Sequence, residues 1–344
     1  MHKKIIGFAA LAATVGLLLA GCAGEGSALV PKSTAASTVE KWSAPVLNID
    51  FATYNPLSLI IKNKGWLEAT LGDRVKVNWV QSAGSSAANL ALRSGAIDIG
   101  STAGSAALLA RSNGSPIKTI DVYSQPDWAA IAVPKGSSIK SVADLKGKTI
   151  AVAKSTDPYF FLLQSLEKFK VPLNSVTIVN LAHADGKAAL ESGRVDAWSG
   201  LDPLLSASVV TSGSSVIYDN PSFNSYGFLN ATESFISRSP DLAQLVVNAY
   251  EKARAFAVKD PLATATILST VAAISPSIAT NVIENRSKLD ISPIPGARQT
   301  AVLKVIGPVF VQSGDVANQG LIDAALKSLY ETSFAKKADP SALK

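Results

Sequence analysis

The sequence predicts an α/β protein of two similar lobes, and three observations carry the prediction. The first is an internal repeat. Residues 91–100 (ALRSGAIDIG) and 189–198 (ALESGRVDAW) each spell a helix exit, a glycine and a short apolar strand containing an Asp. Gly95 and Gly193 stand where a helix needs a left-handed residue just past its last turn, which glycine adopts without steric cost. The offset, 189 − 91 = 98 residues, is about one small domain. The second observation is the alternation of short apolar runs with helical segments, which implies mostly parallel sheets with helices on both faces. The third is composition. Of 344 residues, 47% are hydrophobic and 17% charged, a globular balance in a chain long enough for two lobes.

The elements follow in order. Residues 46–51 predict a first strand, and Pro56 opens a helix that Gly65 ends. Residues 75–80 alternate as a second strand. Ser85 or Ser86 caps the helix that ends at Gly95, residues 97–99 are a third strand, and 101–110 are a further helix begun by small residues. Residues 122–133 carry the chain into a second α/β segment. There a short helix spans 140–146 and a strand spans 149–153. Asp157 caps a helix that Pro158 opens and that runs through Phe169. Residues 176–179 are a strand, 185–192 a helix, and 216–218 a strand. From Ser239-Pro240 onward the pattern is helical, with restarts at Asp260-Pro261 and Ser275-Pro276, each a cap residue followed by Pro. Crossings near Ala130 and Asn224 make a two-strand hinge suited to opening and closing around a ligand. The expected divisions are 45–130 for the first part of lobe 1, 131–224 for lobe 2, and 225–344 for helices returning to lobe 1.

The first residues predict export. His2-Lys3-Lys4 precedes an apolar run, 5–20, too short for a bilayer span and right for a signal peptide, 1–21. It ends Leu19-Ala20-Gly21-Cys22, which resembles a bacterial lipobox. Cys22 would then carry the lipid anchor and become the mature N-terminus. Residues 22–44, rich in Gly, Ser, Ala and Thr, read as a flexible tether. The expected location is the extracytoplasmic face of a cell membrane.

Composition also excludes. Cys22 is the single cysteine, so the mature chain has no internal disulfide and no thiolate metal cluster. With His2 in the leader, His183 alone remains, and a two-histidine metal site is excluded. The formal charge of +6 becomes +4 without Lys3 and Lys4. No basic run or Arg–aromatic interleaving points to nucleic acid.

Residues 84–203 resemble the periplasmic solute-binding proteins of ABC importers, in the aliphatic sulfonate, taurine and nitrate group. The resemblance is carried by Ala91-Leu92, Gly95, Ile97-Asp98, Gly100 and Thr102. It continues in Ala143 to Lys148 with Ile150-Ala151-Val152, then Ala184-Asp185 and Ala188-Ala189. Gly193, Val195 to Trp198 and Asp202-Pro203 complete it, and Pro56-Leu57 with Gly65 and Leu67-Glu68 extend it upstream. It implies the two-lobed type II periplasmic-binding fold, with ligand held between lobes by loops at strand C-termini. It also implies a monomer without cofactor, metal or catalytic residue, whose closed form docks on a membrane permease. The ligand would be a small organosulfonate or related oxyanion, taurine included. Nitrate, a thiamine-pyrimidine-type precursor, or a sensor role are the alternatives. An enzyme on the same fold is disfavoured, since the mature chain has one histidine, no thiol and no glycine-rich phosphate loop.

Four loops should then face the cleft, around residues 53–55, 83–86, 101–104 and 155–159. The candidate ligand-binding residues are Tyr54, Asn55, Gly84, Ser85, Ser86, Ser101, Thr102, Thr156, Asp157, Tyr159 and Asp202. Several are small polar residues at helix N-termini, where free N–H groups and the helix dipole suit an anion; the same residues also serve as caps. Three sites depart from the relatives' pattern. Thr-Gly-Asp is Thr102-Ala103-Gly104 here, Gly-Ser-Ser-Ala-His-Tyr is Lys154 to Tyr159, and Trp-Asp-Pro is Leu201-Asp202-Pro203. Asp157 is expected to cap its own helix and to repel an anion by about 4 kcal/mol at about 4 Å and an effective dielectric near 20. An anion would then sit on Ser85, Ser86 and Thr102, or the ligand would be neutral or zwitterionic, as taurine is with its amine near Asp157. Trp128 and Trp198 are either cleft walls or core. Asp98 and Asp196 are expected to be structural, and Lys154 to be solvated. His183, where relatives have Pro, is expected at the surface.

Overall fold

The computed structural model describes residues 42–344. The expected leader 1–21, Cys22 and nearly all of the tether lie outside the described residues. Among the described residues no helix is long and apolar enough to cross a membrane.

The chain begins with β1 (Val46–Phe51), α1 (Pro56–Lys64), α2 (Trp66–Leu71), β2 (Lys76–Gln81), α3 (Ser85–Ser94), β3 (Ile99–Ala103), α4 (Gly104–Ser112) and β4 (Ile117–Pro126). It crosses to β5 (Ala129–Val133), β6 (Thr149–Val152), α5 (Asp157–Lys168), β7 (Thr177–Asn180), α6 (His183–Glu191), β8 (Ala197–Leu201), α7 (Leu204–Ala207) and β9 (Ser215–Asp219). It returns in β10 (Gly227–Thr232), α8 (Glu233–Arg238), α9 (Pro240–Lys259), α10 (Pro261–Ala272), α11 (Pro276–Asn285), β11 (Ser287–Lys288), α12 (Ala297–Gln312), α13 (Gln319–Ser328) and α14 (Ser333–Lys336).

Two sheets result, ordered β2-β1-β3-β10-β4-β11 and β7-β6-β8-β5-β9. In each, three parallel strands lie beside one antiparallel strand that has just crossed between lobes, β10 or β5. The lobes are therefore built alike, and the repeated stretches lead into equivalent strands, β3 and β8. Gly95 and Gly193 take the expected left-handed φ, +74° and +71°. The repeat's carboxylates do the same work twice. Asp98 N–H donates to Asn48 O at 2.8 Å, and Asn48 N–H donates back to Asp98 Oδ2 at 2.9 Å. Asp196 N–H donates to Thr149 O at 2.9 Å, and Thr149 N–H donates to Asp196 Oδ2 at 2.8 Å. Each Asp so ties its strand to the first parallel strand of its own sheet.

Local chemistry explains the helix restarts. Asp260 Oδ1 accepts from Ala263 N–H at 2.9 Å and Ser275 Oγ from Ile278 N–H, with Pro261 and Pro276 supplying the fixed φ of a first helical residue. The C-terminal helices cover mainly lobe 1, but α12 also lies against α5 of lobe 2, where Phe160 meets Phe310 at 4.2 Å between ring centroids.

Some boundaries differ from expectation. Residues 101–103 are strand, because β3 pairs with β10 as far as Ala103 and Ser101 N–H is taken by Asp50 at 2.9 Å. The helix therefore starts at Gly104. The expected helix at 140–146 is a single 3-10 turn, Val142–Leu145, capped by Ser141 and Asp144. Helix α6 begins at His183, two residues early.

Replacing Asp98 or Asp196 by Ala should each cost about 1–3 kcal/mol, the price of a backbone N–H left unpartnered. Urea unfolding measures this, and unchanged midpoints would show that the clamps do not hold the strands.

Candidate ligand-binding cleft

Gly84 lies where lobe 1 meets the first turns of two lobe 2 helices. Its φ of +155° favours glycine, and a Cβ there would come within 3.0 Å of His183 Cδ2 and Nε2 and 4.0 Å of Thr156 Cγ2. Three helices therefore present their N-terminal ends to one place: α3 after Gly84, α5 after Thr156, and α6 at His183. None has a side-chain cap. Their hydroxyls are turned elsewhere: Ser85 Oγ accepts from Ala103 N–H at 2.9 Å, and Thr156 Oγ1 donates to Ala153 O at 2.6 Å. In α3 the first helical bond is Ala88 N–H to Gly84 O, which leaves the N–H groups of Ser85, Ser86 and Ala87 outside the ladder. Such an end carries about half a positive charge and suits an anion.

His183 belongs to this place, against the expectation of a surface residue. It is 3% exposed, the first residue of α6, with its ring against Gly84. Both ring nitrogens lack a hydrogen-bond partner. Burial alone pushes its pKa down to about 4, so the ring is neutral at pH 7.

Beside it lies a second polar group. Asp157 is the first residue of α5 rather than its cap, and its carboxylate faces lobe 1 and the crossing segments. Oδ1 accepts from Ser105 Oγ at 2.5 Å and Ser225 Oγ at 2.7 Å. Oδ2 accepts from Trp128 Nε1 at 2.7 Å and Ser225 N–H at 2.8 Å. The expectation that Asp157 caps its own helix is thus corrected: stronger partners lie across the lobe boundary. Trp128 and Trp198 are both core residues; Trp128 stands edge-on to Tyr54 at 6.1 Å. Tyr54 OH donates to Ser101 O at 2.9 Å, and Ser101 Oγ and N–H both donate to Asp50. Burial pushes the Asp50 carboxyl up to about 7.

The remaining expected residues are placed as follows. Asn55 caps α1 and donates from Nδ2 to Tyr250 OH at 3.0 Å. Thr102 Oγ1 donates to Ala103 O and accepts from Asn230 Nδ2, inside the sheet. Ser86 is exposed and borders, with Asn89, Arg93 and Ser155, a groove of about 320 Å³. Tyr159 OH donates to Asp315 Oδ2 at 3.1 Å, a tie between lobes. Asp202 accepts from Ser206 N–H and Oγ and pairs with Arg286. Arg286 also meets Asp127 and Asp219, each at 3.2 Å, so one guanidinium links lobe 2 to the end of α11. Lys154 is exposed. Gly84 and Thr156 thus meet beside the His183 ring, with Ser85 tied to Ala103, while Tyr54 and Ser101 lie with Asp50, and Asp157 reaches Ser105, Trp128 and Ser225. Sequence reasoning missed Ser105, Ser225, His183 and Arg286; no motif marks the serines or the arginine.

Comparison with known proteins agrees with this architecture. A family model described as NMT1/THI5 like matches residues 59–264. A putative aliphatic sulfonates-binding protein of Escherichia coli (strain K12) is 27% identical over 221 residues, covering 64% of this chain and 69% of that one. One of Bacillus subtilis (strain 168) is 29% identical over 237 residues, covering 67% and 71%. Among solved structures, the alkanesulfonate-binding protein SsuA from Xanthomonas axonopodis pv. citri bound to MOPS superposes with a TM-score of 0.73 at 24% identity, covering 82% of this chain and 98% of that one, a likeness of fold. With the fold, the repeat and the match over most of the described residues in agreement, the chain belongs to the NMT1/THI5-like family.

Proposed function

We propose that this protein is the extracytoplasmic solute-binding component of an ABC importer, anchored by a lipid on Cys22. It captures a small organosulfonate or related oxyanion, taurine included, between its lobes and delivers it to a membrane permease. The observation that carries this reading is the convergence at Gly84 of three uncapped helix N-termini with the partnerless His183 ring. Neutral N–H donors and helix dipoles hold an anion without a cationic side chain. Donors from both lobes make the closed form the one that binds better, so ligand shifts the chain toward closure. The relatives' naming as aliphatic sulfonate-binding proteins supports the same ligand class.

A thermal-shift screen against alkanesulfonates, taurine, nitrate and pyrimidine precursors tests the ligand. One present at 100 times its Kd should stabilise by about 2.7 kcal/mol. A shift with another class and none with a sulfonate overturns the assignment. Gly84→Ala should weaken binding at least tenfold, about 1.4 kcal/mol, because its Cβ meets His183 at 3.0 Å; calorimetric titration reads this.

His183 gives a pH prediction. A ring with its pKa lowered to about 4 is neutral in the folded chain while the unfolded chain, with its ordinary value of 6.5, takes up a proton. Its contribution is present above pH 6.5 and is lost as pH falls toward 4, by about 3 kcal/mol at 1.36 kcal/mol per unit. Asp50, raised to about 7, acts oppositely, since the folded chain then holds the extra proton. His183→Gln should therefore be relatively more stable at pH 4.5 than at pH 7.5, each compared with the parent. Equal differences at both pH values would refute it.

A further inference from the structure

We propose that Ser105, Ser225 and Trp128 form an oxyanion receptor in the cleft, and that this chain keeps it filled with its own Asp157 carboxylate. Free carboxylates and sulfonates are thereby excluded from that place, and a ligand's acidic group is directed to the Gly84 end. The direction toward Gly84 rests on the function proposed above; the receptor does not.

The coordination is complete. Each Asp157 oxygen accepts two hydrogen bonds, from Ser105 and Ser225 hydroxyls on Oδ1 and from Trp128 Nε1 and Ser225 N–H on Oδ2. A carboxylate offers about four acceptor places, so none is left for a solute. All four donors are neutral, and bonds from neutral donors to an ionised oxygen are the strong kind. The donors belong to a frame independent of Asp157: Ser105 to α4 in lobe 1, Trp128 to one crossing segment and Ser225 to the other. They also orient one another. Ser105 N–H donates to Ser225 Oγ at 3.0 Å, which turns the Ser225 hydroxyl hydrogen toward Asp157, and Tyr54 stands against the Trp128 ring. An Asp at the start of a helix ordinarily serves that helix. Here it is 1% exposed and reaches away from α5 to a site built by other segments. A set of fixed donors around one anion is a receptor, whether the anion is tethered or free.

The test is Asp157→Ala in the whole chain, probed with formate, which matches the excised carboxylate, against chloride at equal ionic strength. The variant should melt lower than the parent. Formate should raise its Tm saturably, methanesulfonate should do the same, and the Trp128 indole N–H resonance should move as the site fills. The parent should show none of these responses to formate. Adding Ser105→Ala to the variant should weaken formate at least fivefold. No response of Tm or of the Trp128 signal to either anion overturns the proposal, as does a formate response that Ser105→Ala leaves unchanged. If Asp157→Ala does not refold in chloride, recovery in formate supports the receptor. Failure in formate, with Asp157→Asn folded, overturns it. A parent that binds no sulfonate while the variant answers to formate removes the proposed ligand and leaves the receptor; the reverse outcome removes the receptor alone.

Discussion

Two carboxylates lie buried at the junction of the lobes, Asp50 and Asp157, and no lysine or arginine touches either among the described residues. An ion taken from water without a countercharge must be held by dipoles, or it neutralises. That constraint arranges much of the cleft. Ser101 gives Asp50 both its hydroxyl and its N–H, which keeps β3 extended where the sequence pattern predicts a helix. Ser105, Ser225 and Trp128 do the same for Asp157, and their positions fix how α4 and both crossing segments approach α5. Neutral donors are the common material of this junction.

Three further ties between the lobes are unlike in kind. Phe160 and Phe310 meet edge to face in an apolar contact. Tyr159 reaches Asp315 with a single hydrogen bond. Arg286 holds Asp202, Asp127 and Asp219. Asp127 sits among like charges, and burial with Asp219 beside it pushes its carboxyl up to about 6 despite the guanidinium. The hydrophobic tie is not weakened by ionic screening, whereas the partly exposed ionic one is.

How much of this was legible in the sequence depended on how far apart the partners lie. The glycine exits at Gly95 and Gly193 and the Asp-Pro and Ser-Pro restarts are made by residues within four positions of each other, and they were read correctly. The two-sheet plan followed from the repeat and from the alternation of elements. Among the candidate residues, Gly84, Ser85 and Thr156 stand at helix starts, which are local signals. The local pattern puts Ser101 in a helix rather than a strand because its partner, Asp50, is 51 residues away. Ser225 had no signal at all: it meets Asp157 at a separation of 68 and Ser105 at 120. His183 is expected at the surface because relatives have Pro there, a local comparison blind to Gly84, 99 residues away in the chain, where the ring packs.

The repeated stretch has one more consequence. Just past it, Ser101 and Ser199 occupy matching places in β3 and β8, yet their hydroxyls point to different tasks. Ser101 binds the Asp50 carboxylate of neighbouring strand β1, while Ser199 donates to Pro158 O at 2.7 Å and pins the turn that carries Asp157. A pair of lobes with perfect internal symmetry would show a solute two identical walls. Here the symmetry is kept in the backbone and broken at single hydroxyls, so the cleft acquires a polarity, with a head and a tail, that neither lobe possesses alone.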